Sequence, residues 1–162
     1  MPDRVLPGIG LLIRLGAGAV WIFAGVAKIT DLPHFHDQVE KYKLLPHALD
    51  APFAYTLPFV EVLVGIYLAV GLLTRLAAAA GCILMLLFLI ALTQAWARGL
   101  SLDCGCFGTL VQEKVGFWAI VRDTALAIPS LVMLIWPART LSLDRRLFGS
   151  PDPFRRGAAA PA

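Results

Sequence analysis

Two cysteines separated by a single glycine, Cys104 and Cys106, are the residues of this chain best suited to chemistry. They lie in a polar break between two long apolar runs. Thiols this close can form a disulfide, exchange it with a partner, or hold a metal. Gly105 lacks the Cβ that would oppose the tight turn of a bridge, and a strained bridge is easier to reduce than a relaxed one. The spacing predicts a Cys104–Cys106 disulfide with a redox role.

Ionisable residues inside the apolar runs form a second group of candidates. Glu61, Arg122 and Asp123 each lie about seven or eight residues into a run, roughly 10–12 Å deep at 1.5 Å per residue. Lys28 lies shallower, at the same end of the runs. A charge at a helix centre in a bilayer costs about 2.5–3.5 kcal/mol, so it usually faces a partner or a cavity. Two interpretations stay open: a structural pair of Glu61 with Arg122, or a proton relay or quinone-headgroup site that serves the cysteines.

Composition indicates the elements that must position these residues. The 162 residues are 59% hydrophobic and 15% charged, and four apolar runs reach the length of about 20 residues that a membrane span requires. These runs predict an all-α, four-helix transmembrane bundle with spans near 9–29, 53–73, 76–96 and 115–136. The membrane domain covers 1–137, and the tail 138–162, which lacks apolar periodicity, is expected to be disordered. The arginine-rich tail and anionic lipid account for the net charge of +3, so no nucleic-acid partner is expected.

A short amphipathic helix is expected between the first two spans, lying on the outer membrane surface. Phe35, Val39 and Tyr42 recur at i, i+4 and i+7 with polar residues between them, which is the pattern of one apolar helix face. Asp31 is placed to cap this helix, Pro33 suits its first turn, and a later proline, Pro46, is expected to end it.

Basic residues near the helix ends predict the orientation. Seven arginines flank one side and five basic residues the other: Arg4, Arg75, Arg139, Arg145, Arg146, Arg155 and Arg156 against Lys28, Lys41, Lys43, Arg98 and Lys114. This bias places both termini in the cytoplasm of an inner or plasma membrane protein. The cysteines then face the periplasm or cell exterior, where a thiol pair can cycle.

The order of several short segments resembles that of a known family. They are Gly18–Ile29, Tyr42–Pro46, Leu57–Glu61, Gly71–Arg75, Arg98–Leu100, Cys104–Gly108 and Arg122-Asp123. The chain looks like the MauE/DoxX family of redox-associated membrane proteins, closer to its methylamine-utilisation branch. The resemblance covers roughly residues 10–136 and implies a four-helix membrane protein. It also implies a thioredoxin-like exported partner and a part in the maturation of methylamine dehydrogenase.

Two further hypotheses compete with the redox interpretation. His34 and His36 lie on the same side as Cys104 and Cys106, and two histidines with two cysteines could bind zinc or copper. Alternatively, the bridge only shapes its loop, and the chain is an accessory protein without chemistry of its own.

The function predicted from the residues is disulfide exchange at the outer surface. One cysteine of the pair reacts with the partner and the other resolves the mixed disulfide. Arg98 could favour a thiolate while Asp103 opposes one at Cys104, which favours Cys106 as the nucleophile. Apart from the pair the chain has only Cys82, in the third span, so it lacks a second pair to relay electrons. This absence favours a partner-dependent oxidoreductase, and an oxidase of this kind would pass its electrons to quinone.

Overall fold

The computed structural model describes residues 2–100, 102–105 and 114–135, and these residues form five α-helices. In chain order they are α1 (Pro2–Ile29), α2 (Leu32–Tyr42), α3 (His47–Val70), α4 (Thr74–Ala97) and α5 (Phe117–Ile135). An isolated antiparallel bridge joins Asp103 to Lys114 and closes the connection between α4 and α5. Cys106, and with it the predicted disulfide, lies outside the described residues, as does the tail 138–162.

Four of these helices are long and apolar enough to cross a membrane: Gly10–Ile29 within α1, and all of α3, α4 and α5. The predicted all-α architecture with four long helices is therefore confirmed. α3 starts before the predicted residue 53 and ends before residue 73, because Gly71 adopts a left-handed conformation (φ 74°) and ends the helix. The α3–α4 connection therefore consists of the three residues Gly71–Leu73.

The short helix α2 forms where the sequence predicted it. The Asp31 carboxylate accepts a hydrogen bond from the His34 backbone N–H at 3.2 Å, and a proline occupies the first turn. The helix ends at Tyr42 because Lys43 turns left-handed (φ 50°), so the predicted stop at Pro46 is wrong. Pro46 instead precedes α3, in an extended conformation.

The backbones of α1 and α3 approach each other closely at glycines. A Cβ added to Gly18 would lie 2.8 Å from the Gly65 carbonyl oxygen, and one added to Gly25 would lie 2.6 Å from the Pro58 carbonyl oxygen. Small residues permit this approach between membrane helices, where van der Waals contact replaces the hydrophobic effect as the main cohesive force. The close crossing fixes the rotation of α1 against α3 and so determines which side chains meet between them.

α4 and α5 complete the bundle. α4 packs most extensively against α5, and Trp21 of α1 donates a hydrogen bond from Nε1 to Ser130 Oγ of α5 at 3.3 Å. Many large apolar side chains remain exposed on the outside of the long helices, including Leu12 at 71% and Leu76 at 66%. Such a surface suits a lipid environment, because a soluble protein rarely exposes so much contiguous apolar area.

Candidate functional site

A buried ion pair joins α1 to α3 near the end of the bundle that carries Cys104. The connection between α4 and α5 that contains this residue is called the cysteine loop. Lys28 Nζ lies 2.8 Å from each carboxylate oxygen of Glu61, and both side chains are 1% exposed. The prediction that Glu61 pairs with Arg122 is therefore corrected. The α1–α3 crossing turns Lys28 toward Glu61, and no periodicity in the sequence reports that rotation.

Two aromatic rings complete the surroundings of Lys28. Its Nζ lies 5.6 Å from the ring centre of Phe35 on α2 and 5.1 Å from that of Phe88 on α4. Both distances are within the range of a cation–π attraction, which strengthens when the charge is shielded from water. Lys28 therefore links the surface helix α2 to the interior of the bundle.

Arg122 makes a second polar cluster with its neighbour and with the cysteine loop. Its Nε and Nη2 donate to Asp123 Oδ1 at 3.1 and 3.0 Å, and Nη2 also lies 3.2 Å from Cys104 Sγ. Asp123 is 2% exposed and so holds the guanidinium from the interior side. The sequence suggested Arg98 as the cation near the thiols, but among the described contacts Arg122 is the one that reaches the sulfur.

The two clusters share a small internal space. Lys28, Glu61 and Asp123 line a cavity of about 20 Å³ together with Trp21 and Phe88. This volume has room for one water, which would find several polar partners there. The structure thus brings the predicted intramembrane residues Lys28, Glu61 and Asp123 to one place, with Arg122 bonded to Asp123 and extending to Cys104.

Tyr42 contacts the backbone of the cysteine loop, and Arg98 in turn contacts the backbone of Tyr42. The hydroxyl of Tyr42 lies 3.1 Å from the Cys104 carbonyl oxygen and 3.3 Å from that of Asp103. Arg98 Nη1 in turn donates to the Tyr42 carbonyl oxygen at 3.0 Å. The sequence pattern assigned Tyr42 only to an apolar helix face. The hydroxyl of Tyr42 could have indicated this contact, because a buried tyrosine hydroxyl usually has a hydrogen-bond partner.

Gly105 has a conformation and a neighbour that both require glycine. Its φ is +69°, and a Cβ there would overlap Oε1 of Gln38, a residue that is only 6% exposed. Gln38 is fixed in turn by a contact of 2.8 Å between its Nε2 and His34 Nε2. The glycine therefore lets α2 close over the cysteine loop, in addition to permitting the turn.

Gly105→Ala is expected to reduce the free energy of unfolding by about 1–2 kcal/mol for the left-handed backbone and by a similar amount for the overlap. Gly99 is a matched control because its φ is +66° and no atom lies within 4 Å of the Cβ position. Gly99→Ala should therefore cost only the backbone part. Denaturant titration in detergent measures both losses. The packing argument is contradicted if Gly105→Ala and Gly99→Ala cost the same and if Gln38→Ala does not reduce the cost of Gly105→Ala.

The histidines have separate neighbours. The His36 ring stacks on Tyr55 with ring centres 5.7 Å apart, whereas His34 contacts Gln38. Within the ranges 2–100, 102–105 and 114–135 no three of the His, Cys, Asp and Glu residues are grouped as metal ligands. The metal hypothesis needs His34, His36, Cys104 and Cys106 together. The contacts of His34, His36 and Cys104, which the structure describes, do not support it.

Two recesses flank the cysteine loop. One is polar, about 220 Å³, and is lined by His34, Gln38, Lys41, Tyr42, Leu102 and Asp103. The other, of about 400 Å³, is almost wholly apolar, lies between α2, α3 and α4, and reaches Cys104 and Gly105. The loop is therefore bordered by one water-compatible surface and one lipid-compatible surface.

These features define a class of protein: a multi-pass helical membrane protein with a cysteine at one end of the bundle and paired charges beneath it. The chain belongs to the MauE family, since the model of "Methylamine utilisation protein MauE" matches residues 6–136. The DoxX part of the resemblance stays a prediction.

Several curated relatives carry the same description, "Methylamine utilization protein MauE". The one from Methylophilus methylotrophus is 34% identical over 133 residues, which cover 81% of this chain and 70% of the relative. The one from Paracoccus denitrificans is 30% identical over 128 residues, covering 76% and 69%. The one from Methylorubrum extorquens is 33% identical over 106 residues, covering 65% and 57%. No solved structure matches the chain significantly.

Proposed function

We propose that this chain exchanges disulfides with an exported thioredoxin-like partner and thereby supports protein maturation in methylamine utilisation. The context comes from the family, whose members are named for methylamine utilisation. The observation that carries the chemistry is the 3.2 Å contact of Arg122 Nη2 with Cys104 Sγ. A cation donating to a sulfur favours the thiolate, which is the form that attacks or leaves in disulfide exchange.

The exchange is balanced within two cysteine pairs. A partner thiolate attacks the Cys104–Cys106 disulfide, one sulfur forms the mixed disulfide, and the other leaves as a thiolate. The second partner thiolate then attacks the mixed disulfide, so the partner is oxidised while Cys104 and Cys106 are reduced by two electrons and take up two protons. The same steps in reverse would reduce a partner disulfide.

Within this scheme Cys104 is the sulfur that carries the negative charge. Arg122 contacts it directly, and Asp123 keeps the guanidinium in place. This assignment replaces the expectation, drawn from Asp103 and Arg98, that Cys106 is the more nucleophilic thiol. The side chain of Arg98 is bonded to the Tyr42 backbone, so it supports the loop instead of the sulfur.

The polar recess offers a place for a water-soluble partner to approach. It borders the loop at Leu102 and Asp103, and its other walls come from the surface helix α2. A partner held there would meet the loop from the aqueous side without entering the bilayer. Lys41 and His34 provide hydrogen-bond donors to this recess, and Asp103 provides a hydrogen-bond acceptor.

Trapping a mixed disulfide tests the proposed function. Cys106→Ser leaves Cys104 without a resolving cysteine, so an oxidised thioredoxin-like partner should accumulate as a disulfide-linked complex on a non-reducing gel. Cys104→Ser should give less complex, because it removes the sulfur that Arg122 contacts. Cys82→Ser is the control and should behave as the parent chain, since Cys82 lies within α4.

The opposite result has a clear meaning for the proposal. A chain in which both Cys104 and Cys106 are serine, and which still supports maturation of the partner's target, would exclude exchange. It would favour the accessory hypothesis, in which the pair only shapes its loop.

The proposed orientation predicts the outcome of reporter fusions. A fusion after Arg139 should report the cytoplasm, and an insertion within 103–113 should report the exterior, because basic residues concentrate on the side of the termini. Alkaline phosphatase and green fluorescent protein fusions measure this directly in the inner membrane. The reverse pattern would place the cysteines in a reducing compartment and would exclude exchange with an exported partner.

A further inference from the structure

The apolar recess beside Cys104 has the size and composition of a ligand site. Its volume of about 400 Å³ falls within the range of small-molecule pockets, and its walls come from three helices. Among its lining residues are Phe35 and Val39 of α2, Leu57 of α3, and Leu84, Leu87 and Phe88 of α4. Leu87 is 49% exposed, so one wall of this groove opens to the outside of the bundle, where the lipid lies.

The groove also reaches Cys104. This residue is 6% exposed, and it lines the apolar groove but is not among the residues that line the polar recess. A lipophilic small molecule in the groove would therefore lie beside Cys104.

One polar group at this end of the groove could bind a ligand. Gln38 lines the groove beside Gly105, and its Oε1 has no hydrogen-bond partner among the described residues. A buried acceptor without a partner is costly, and a ligand hydroxyl would satisfy it. Because Gln38 contacts His34 Nε2, a change of the histidine tautomer lets the amide present its oxygen or its NH₂ to the groove. The same position can thus serve a hydroxyl or a carbonyl.

We infer that the groove binds a lipophilic quinone, with its ring beside Cys104 and Gln38 and its tail along the apolar walls. This inference rests on the proposed function, because an exchanging cysteine pair needs a route for its two electrons. A quinone offers carbonyl oxygens and its reduced form offers hydroxyls, which match the two states of the Gln38 amide. A phospholipid acyl chain would fill the same walls but would leave Gln38 Oε1 without a donor.

The redox step is balanced. The thiols of Cys104 and Cys106 lose their two protons and two electrons, and a sulfur–sulfur bond forms. The quinone takes up both electrons and both protons at its carbonyl oxygens and leaves as the hydroquinone. The pair can then oxidise the next partner dithiol, which sets the direction of exchange.

Anaerobic oxidation by decylubiquinone tests the inference on the full chain in phosphatidylcholine nanodiscs, with the cysteines reduced beforehand. Alkylation reports the thiols and ultraviolet absorbance reports the quinone, and we expect a saturable reaction with one quinone reduced per cysteine pair. Leu87→Trp, which fills the groove, should slow it at least tenfold. Leu86→Trp is the matched control, because Leu86 is the adjacent leucine, is 59% exposed and does not line the groove. Gln38→Leu should weaken quinone binding about fivefold, the loss of roughly one hydrogen bond.

Two further measurements separate this inference from the proposed function. A photoreactive azidoquinone should label peptides of α2 and α4 without any turnover, and Leu87→Trp should abolish the labelling. Exchange with a soluble disulfide probe should be unchanged by Leu87→Trp. If that exchange proceeds but oxidation by quinone is unsaturable, or equal in the Leu87→Trp and Leu86→Trp variants, the quinone site is excluded and the proposed function stands. Saturable, groove-dependent oxidation without any exchange supports the site and excludes the exchange.

Discussion

Replacing Lys28 with methionine is expected to lower the free energy of unfolding by about 3–5 kcal/mol, because it leaves Glu61 as an unpaired charge in the bundle interior. Glu61→Met should cost a similar amount by leaving Lys28 unpaired. The double variant should be far milder than the sum, since two methionines of comparable volume remove both charges at once. Denaturant titrations of the four proteins in the same detergent measure the coupling.

The controls for this cycle come from the same chain. Lys41 is an exposed lysine on α2, so Lys41→Met should change stability by no more than about 0.5 kcal/mol. Combining Glu61→Met with Arg122→Gln should give nearly additive losses, because Arg122 contacts Asp123 and Cys104 instead of Glu61. Additive losses for Lys28 and Glu61 would show that their 2.8 Å contact contributes little.

Arg122→Gln is expected to slow alkylation of Cys104 by iodoacetamide at pH 7 about tenfold or more. A hydrogen bond to a charged group contributes about 1.5–3 kcal/mol, and only the thiolate reacts. The experiment uses the Cys106→Ser background with Cys82→Ser, so that Cys104 is the one thiol measured. Arg122→Lys should give an intermediate rate, because an ammonium keeps the charge but loses the planar geometry that binds both Asp123 and the sulfur.

The pH profile distinguishes an electrostatic role of Arg122 from a purely structural one. At alkaline pH the thiol is ionised in every variant, so the rates of the parent and the Arg122→Gln variant should converge. A proportional loss at all pH values would instead show that the arginine only controls access to the sulfur. Arg98→Gln is the matched control and should change the rate at pH 7 less than twofold, since Arg98 contacts the Tyr42 carbonyl.

Local patterns in the sequence were sufficient to predict the helices. Span length and hydropathy identified four long helices, and a capping aspartate with a proline in the first turn identified α2. These signals work because hydrogen bonds and periodicity within a helix depend on neighbours in the chain. The ends of α2 and α3 were harder, since left-handed conformations at Lys43 and Gly71 set them.

The contacts between helices could not be predicted in the same way. Depth in the membrane placed Glu61, Arg122 and Asp123 at a common level, but the partner of each charge depends on how its helix is rotated. The close α1–α3 crossing directs Glu61 to Lys28, and the return of the cysteine loop over α5 directs Arg122 to Cys104. The roles of Gln38 and Tyr42 arise from the way α2 packs on the bundle. Amphipathicity predicts that α2 has an apolar face, but it does not predict what that face contacts.

The division of the Lys28–Glu61 pair between α1 and α3 also bears on how the protein enters the membrane. α1 is synthesised before α3 and carries its lysine into the bilayer before Glu61 is available. Delivery of α3 supplies the carboxylate, and the glycine contacts let the two helices associate at once. We expect this helix pair to be the first stable unit in biogenesis, onto which α4 and α5 assemble. Variants that lack one member of the pair should then assemble more slowly and accumulate in the membrane at a lower level than the parent chain.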